Sequence, residues 1–209
     1  MREYPYAHIY VDNIFPEDFY LHLRENWPAD SSLVCLGDTG RVPKGAYPER
    51  FIMPFSQSEV AKLDEKRKAF WLEFGNWFLG FRFMNSVIGK FESAVEDRFG
   101  PAMLKNDYSA ESLIVRDMTN YSIGPHTDAP HRLLSVLFYC PDDDSRAHLG
   151  TSIYVPNDPD FRCAGVRQRH HCCTCHSERG ANRLFNATGT GQIWHRLFLA
   201  VLVLWTFGL

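Results

Sequence analysis

His126 and Asp128 stand two residues apart in the run Tyr121-Ser122-Ile123-Gly124-Pro125-His126-Thr127-Asp128-Ala129-Pro130. An apolar stretch with β-branched and aromatic residues, Leu133 to Tyr139, follows directly. On a strand, residues i and i+2 point to one face, so an imidazole nitrogen and a carboxylate oxygen can meet at one point in space. Two histidines and one carboxylate on one side of a metal, with the opposite side open, suit Fe(II) and its oxygen chemistry. The second histidine has to come from a distant part of the chain.

Spacing alone is a weak signal. With 9 His and 25 acidic residues among 209, roughly one His-x-Asp or His-x-Glu pair arises by chance. Two occur, His126-x-Asp128 and His176-x-Glu178. Only the first precedes a strand-like run; the second sits among Cys, Ser, Arg and Gly and reads as loop.

The elements that must position such a dyad follow from patterning. Residues 6–11 read as a short strand. Pro16 opens a helix with Glu17 and Asp18 in its first turn, where acids favour the positive end of the helix dipole, and the helix ends near Trp27-Pro28. Residues 29–56, rich in Gly, Pro and Ser, read as a long surface excursion. From Ser58 to Gly80 the apolar residues Val60, Leu63, Phe70, Phe74, Trp77 and Phe78, and Phe81 just beyond, recur at roughly helical spacing. A further helix is expected over Met84 to Arg98, closed by Gly100-Pro101. From about Glu111 short strand-like runs alternate with turns: Leu113–Val115, Leu133–Tyr139 and Ser152–Val155, separated by Pro141-Asp142-Asp143-Asp144 and followed by Pro156-Asn157-Asp158-Pro159. The expectation is a single α+β domain over 1–209, with a mainly helical support layer over 1–105 and a β sandwich or barrel over 106–209.

Composition narrows the function classes. A hydrophobic content of 45% and an aromatic content of 14% fit one domain with a full core. A net charge of −3 offers no footing for nucleic acid or an anionic membrane. Met1 is followed by Arg2, Glu3, Tyr4 and Pro5 with no apolar signal region. The six cysteines, Cys35, Cys140, Cys163, Cys172, Cys173 and Cys175, are clustered late and unevenly, which is not the spread of a disulfide framework. A reducing cytoplasmic location is expected.

Taken together, these motifs resemble the Fe(II)- and 2-oxoglutarate-dependent oxygenases, in particular small prolyl-4-hydroxylase-like members with a double-stranded β-helix, or jelly-roll, fold. Pro5-Tyr6 to Pro28 looks like the strand-plus-helix start, Tyr121 to Pro130 like the metal-dyad strand, and Leu133 to Pro156 like the next strands. The resemblance implies His126 and Asp128 as metal ligands. It also implies a distal histidine, for which His195 in Ile193-Trp194-His195, after Asn182-Arg183-Leu184-Phe185, is the candidate; His170, His171 and His176 compete. Tyr121 is the candidate for a hydrogen bond to the co-substrate. The cofactors implied are Fe(II), 2-oxoglutarate and, as an optional reductant, ascorbate. The implied reaction is hydroxylation of a small-molecule or peptidyl substrate with release of succinate and CO2.

The chain departs from the family pattern after about Arg162. The family places an Arg or Lys about one strand beyond the distal histidine to hold the far carboxylate of 2-oxoglutarate, a role suited to bidentate pairing. Leu197 to Leu209 contains no basic residue, and Arg196 would face away from His195 on a strand. The stretch 163–209 reads as a divergent or altered C-terminus, such as a shifted reading frame would produce; an intact frame in the source DNA would remove that hypothesis. A non-catalytic jelly-roll that has lost 2-oxoglutarate binding is the alternative.

Other features have simpler readings. The spacing Cys172-x-x-Cys175 within a His/Cys cluster suits zinc, but no second knuckle accompanies it. The aromatic run Phe70 to Phe83 is interrupted by Glu73, Asn76 and Arg82 and reads as a packed support helix. Arg132 reads as a solvated surface arginine, with steering of an acidic substrate as the sharper alternative. The apolar end Leu197–Leu209 has 13 residues, short of the about 20 that a spanning helix needs, and reads as a buried last strand or an aggregation-prone tail.

Overall fold

Pro16, Glu17 and Asp18 open helix α1 (Glu17–Glu25), with the two acids at the positive end of its dipole and Arg24 in its last turn. This computed structural model describes residues 1–3, 6–101, 109–118, 128, 132–141, 151–156, 181–186 and 198–201. After α1 come two 3-10 turns, Asp30–Ser32 and Leu36–Asp38, and the strands β1 (Val34–Cys35) and β2 (Arg50–Pro54). Residues 29–56 are therefore more than a surface excursion: Ile52 and Met53 are each 1% exposed. Residues 6–11 form no strand; the N-terminus is closed instead by a two-way backbone bridge between Arg2 and His8, both bonds 2.9 Å.

The helix expected over Ser58–Gly80 is two helices, α2 (Gln57–Val60) and α3 (Glu65–Phe78). Asp64 causes the break. Its backbone is extended and its carboxylate accepts the Arg67 N–H at 3.1 Å, so it caps a new helix rather than continuing the old one. Ser56 caps α2 in the same way through the Glu59 N–H. The helix expected over Met84–Arg98 is likewise two, α4 (Phe81–Lys90) and α5 (Glu92–Phe99), parted at Phe91. Gly80 turns the chain from α3 into α4; a Cβ there would stand 2.6 Å from the Asn76 carbonyl oxygen.

The strands β1, β2, β3 (Leu113–Asp117), β7 (Phe198–Val201) and β4 (Val136–Tyr139) form one antiparallel sheet in that spatial order. Strands β5 (Ser152–Pro156) and β6 (Ala181–Asn186) form a separate antiparallel pair. The strand expected from Leu133 starts at Val136, and Leu133 is buried ahead of it.

Side chains alternate across the main sheet. Met53, Ile114 and Phe138 join the core with Leu23 of α1 and Phe70, Trp71, Phe74 and Phe78 of α3. This bears out the packed support helix, although Trp77 and Phe81 are exposed. Each buried ring contributes roughly 1.5–3 kcal/mol. Trp71 is fully buried and donates its indole N–H to the Asn26 carbonyl at 2.8 Å, which fixes the end of α1 against α3. Ile52, Leu113 and Val115 form a smaller apolar cluster on the opposite face, against which Leu36 of the second 3-10 turn packs. Among the described residues no helix is long and apolar enough to cross a membrane.

Candidate functional site

The sheet face opposite the main core carries further polar groups, because it holds the alternate residues of β2, β3 and β4. Arg50 and Asp117 are register partners there, two residues along from the partners Ile52 and Val115. The Arg50 Nε donates to Asp117 Oδ1 at 2.6 Å and Nη2 donates to Oδ2 at 2.7 Å. Such a fork fixes both side chains in one geometry. Tyr139, next to the core residue Phe138, belongs to this face by alternation. Its hydroxyl hydrogen-bonds with that of Thr151, just before β5, and so ties β4 to the second sheet.

Asp128 precedes β4 in the sequence and is itself in neither helix nor strand; residues 119–127 and 129–131 around it lie outside the described residues. The same-face pairing expected of His126 and Asp128 lies outside the described residues, because His126 does. What holds the carboxylate is local: Arg132 Nη1 donates to Oδ1 at 3.0 Å, and the Ser135 hydroxyl donates to Oδ2. The Asp128 side chain keeps 34% of its surface and Arg132 24%, so Arg132 is not the solvated arginine that its sequence context suggests.

Electrostatics join these groups into one neighbourhood. The Tyr6 phenol titrates above its usual value, first through burial and then through the negative charge of Asp128, although the residue as a whole remains half exposed. The bridge between Arg2 and His8 and the contact of His8 Nδ1 with the Tyr6 carbonyl, 2.8 Å, set this turn. Burial pushes the Tyr139 phenol up to about 12; its bond to Thr151 and the charge of Arg50 act against this, and Asp117 and Tyr6 add to it. Both phenols are neutral at neutral pH.

Of the residues singled out from sequence, Asp128 is described. His126, His195 and Tyr121 lie outside the described residues, as do His170, His171, His176, Cys172 and Cys175 and the turns after Pro141 and Pro156. Among the described residues no group of three or more His, Cys, Asp or Glu is placed to hold a metal. Asp128 itself fits a ligand's role. A carboxylate offers about four lone-pair positions, and two donors leave the others for a cation. Hydrogen-bonded carboxylates are the usual form of metal-binding ones.

Sequence reasoning missed Arg50, Asp117, Ser135, Tyr139 and Thr151. Alternation through Leu133–Tyr139 was the available signal for Tyr139. Arg50 and Asp117 are 67 residues apart, and no local pattern joins them. No protein-family model, no curated protein and no solved structure matches the chain.

Proposed function

We propose that the chain is an Fe(II)- and 2-oxoglutarate-dependent dioxygenase on a jelly-roll scaffold, acting in the cytoplasm on a small-molecule or peptidyl substrate. The observation that carries this reading is the Asp128 carboxylate, oriented by Arg132 and Ser135 ahead of strand β4. Fe(II) with 2-oxoglutarate would supply the oxidising power for hydroxylation, with succinate and CO2 as co-products. In this reading Asp128, His126 and His195 hold the metal, and Tyr121 hydrogen-bonds the co-substrate. Arg132 and Ser135 keep Asp128 in its ligating rotamer, as outer partners of metal ligands do. Tyr6, protonated at neutral pH and in the field of Asp128, offers a hydroxyl donor near that carboxylate, and the helical layer packs on the other face of the sheet.

A second reading rests on a specific feature: Leu197–Leu209 has no basic residue to hold the far carboxylate of 2-oxoglutarate. On that reading the chain is a non-catalytic jelly-roll domain. The deciding experiment is succinate release by the purified chain given Fe(II), 2-oxoglutarate, ascorbate and oxygen. The dioxygenase releases succinate without added substrate, slowly, and the Asp128→Ala variant does not. Metal binding with no succinate hands the account to the non-catalytic reading.

A further inference from the structure

We propose that Arg132 has two working edges: one holds Asp128, and the other receives a carboxylate oxygen of the molecule bound beside it. This rests on the reading of Asp128 as a site residue and adds the charge class of its ligand.

Three observations carry it. Arg132 donates one hydrogen bond, from Nη1 to Asp128. A guanidinium has five N–H donors in a rigid fork shaped for carboxylates, so this contact leaves most of the fork unused. The Arg132 Nε is buried and has no hydrogen-bond partner among the described residues. Such a donor has lost water and gained nothing in return, which natural structures seldom leave uncompensated. The side chain is nevertheless 24% exposed, so solvent, and therefore a ligand, reaches part of it.

Arg50 differs: its Nε and Nη2 are both engaged by Asp117. A carboxylate meeting Arg132 would take the unused edge of the guanidinium. The Ser135 hydroxyl on Asp128 Oδ2 keeps the aspartate anchored while the guanidinium is shared.

Glutarate is the probe, because it has two carboxylates and no 2-oxo group with which to chelate a metal. Titrated calorimetrically into the metal-free full chain, it binds saturably. Arg132→Gln weakens that binding at least tenfold, and Arg132→Lys, which keeps the charge but loses the fork, weakens it less. Asp128→Asn binds glutarate as tightly as wild type or more tightly, since the guanidinium is released. Absence of saturable binding to wild type overturns the proposal, as does equal affinity of wild type and Arg132→Gln. If Arg132→Gln does not fold by circular dichroism, a tenfold loss in Asp128→Asn overturns it instead.

Mn(II) titration of the same preparations, followed by electron paramagnetic resonance, separates this proposal from the metal reading. Glutarate binding without Mn(II) binding keeps the Arg132 site and sinks the metal reading; Mn(II) binding without glutarate binding does the reverse. On Mn(II)-loaded protein, competition between 2-oxoglutarate and glutarate assigns the carboxylate to the co-substrate. Simultaneous binding assigns it to the substrate.

Discussion

Arg50 and Asp117 face each other across β2 and β3, and both carboxylate oxygens of the aspartate are taken by the arginine, at 2.6 and 2.7 Å. Asp117 is buried and Arg50 is three-quarters buried. Removing one partner leaves the other charge in a poorly solvated place. Asp117→Ala should therefore lower stability by about 3 kcal/mol, the lower end for breaking a buried pair. The Arg50→Met, Asp117→Leu double variant should lose less than the sum of its single variants. Urea denaturation of the cycle checks this; additive losses would mean that the pair is not coupled.

Asp128→Ala and His126→Ala should each abolish Fe(II) binding with little loss of fold. For Asp128 the reason is on the structure: its side chain is a third exposed and packs into no apolar cluster. Asp128→Ala gives up the hydrogen bonds from Arg132 and Ser135, a loss of about 1–3 kcal/mol that leaves the apolar core untouched. Iron affinity by competition with a colorimetric chelator, with circular dichroism melting as the control, checks both. Wild-type affinity in both variants would remove the dyad.

What the sequence made legible was what local chemistry writes down. Pro16 with Glu17 and Asp18 announced α1, and the aromatic residues of Phe70–Phe78 announced the helix that supports the sheet. The breaks at Asp64 and Phe91 were hidden because apolar periodicity runs on through them, and an aspartate becomes a cap only by its own backbone turning extended. Strand β2 was hidden because Ile52 and Met53 are buried on opposite faces, so the alternation that marks a half-exposed strand is missing. In the sequence Asp128 stood out by its type and its neighbour His126, which lies outside the described residues. Its anchors Arg132 and Ser135 depend on how the chain curves into β4, and the Arg50–Asp117 clamp depends on a sheet pairing across a long gap in sequence.

Trp71 tests the coupling of α1 to the sheet-facing helix. Its ring is fully buried, lies edge-on to Trp27, Phe55, Phe70 and Phe74, and its N–H satisfies the Asn26 carbonyl. Trp71→Ala should cost about 3–5 kcal/mol. Trp71→Phe should cost less, about 1–3 kcal/mol, chiefly for the smaller ring and the lost bond to the Asn26 carbonyl. Thermal melting of both variants, with near-ultraviolet circular dichroism, provides the ordering; a Trp71→Ala protein as stable as wild type would contradict the packing described.

Cys140 gives a pH prediction. Burial pushes its thiol up to about 12 from an ordinary 9.0, with Arg24 opposing. A group whose folded pKa is raised keeps its proton in the fold after the unfolded chain has lost it. Its stabilising effect is thus complete below pH 9 and declines as pH rises toward about 12. Tyr139 acts with the same sign between 10.0 and about 12. The wild-type melting temperature should fall across this window, and Cys140→Ala should flatten the early part of the fall while leaving the later part. An identical profile in the variant would show that the thiol does not titrate with unfolding.

The central claim, a dioxygenase site at Asp128, meets its most direct test in anaerobic addition of Fe(II) and then 2-oxoglutarate to the purified chain. The account predicts a visible charge-transfer band from the bidentate chelate, which disappears on admission of oxygen as succinate is released. Iron bound with no band, or no iron bound at all, would contradict it.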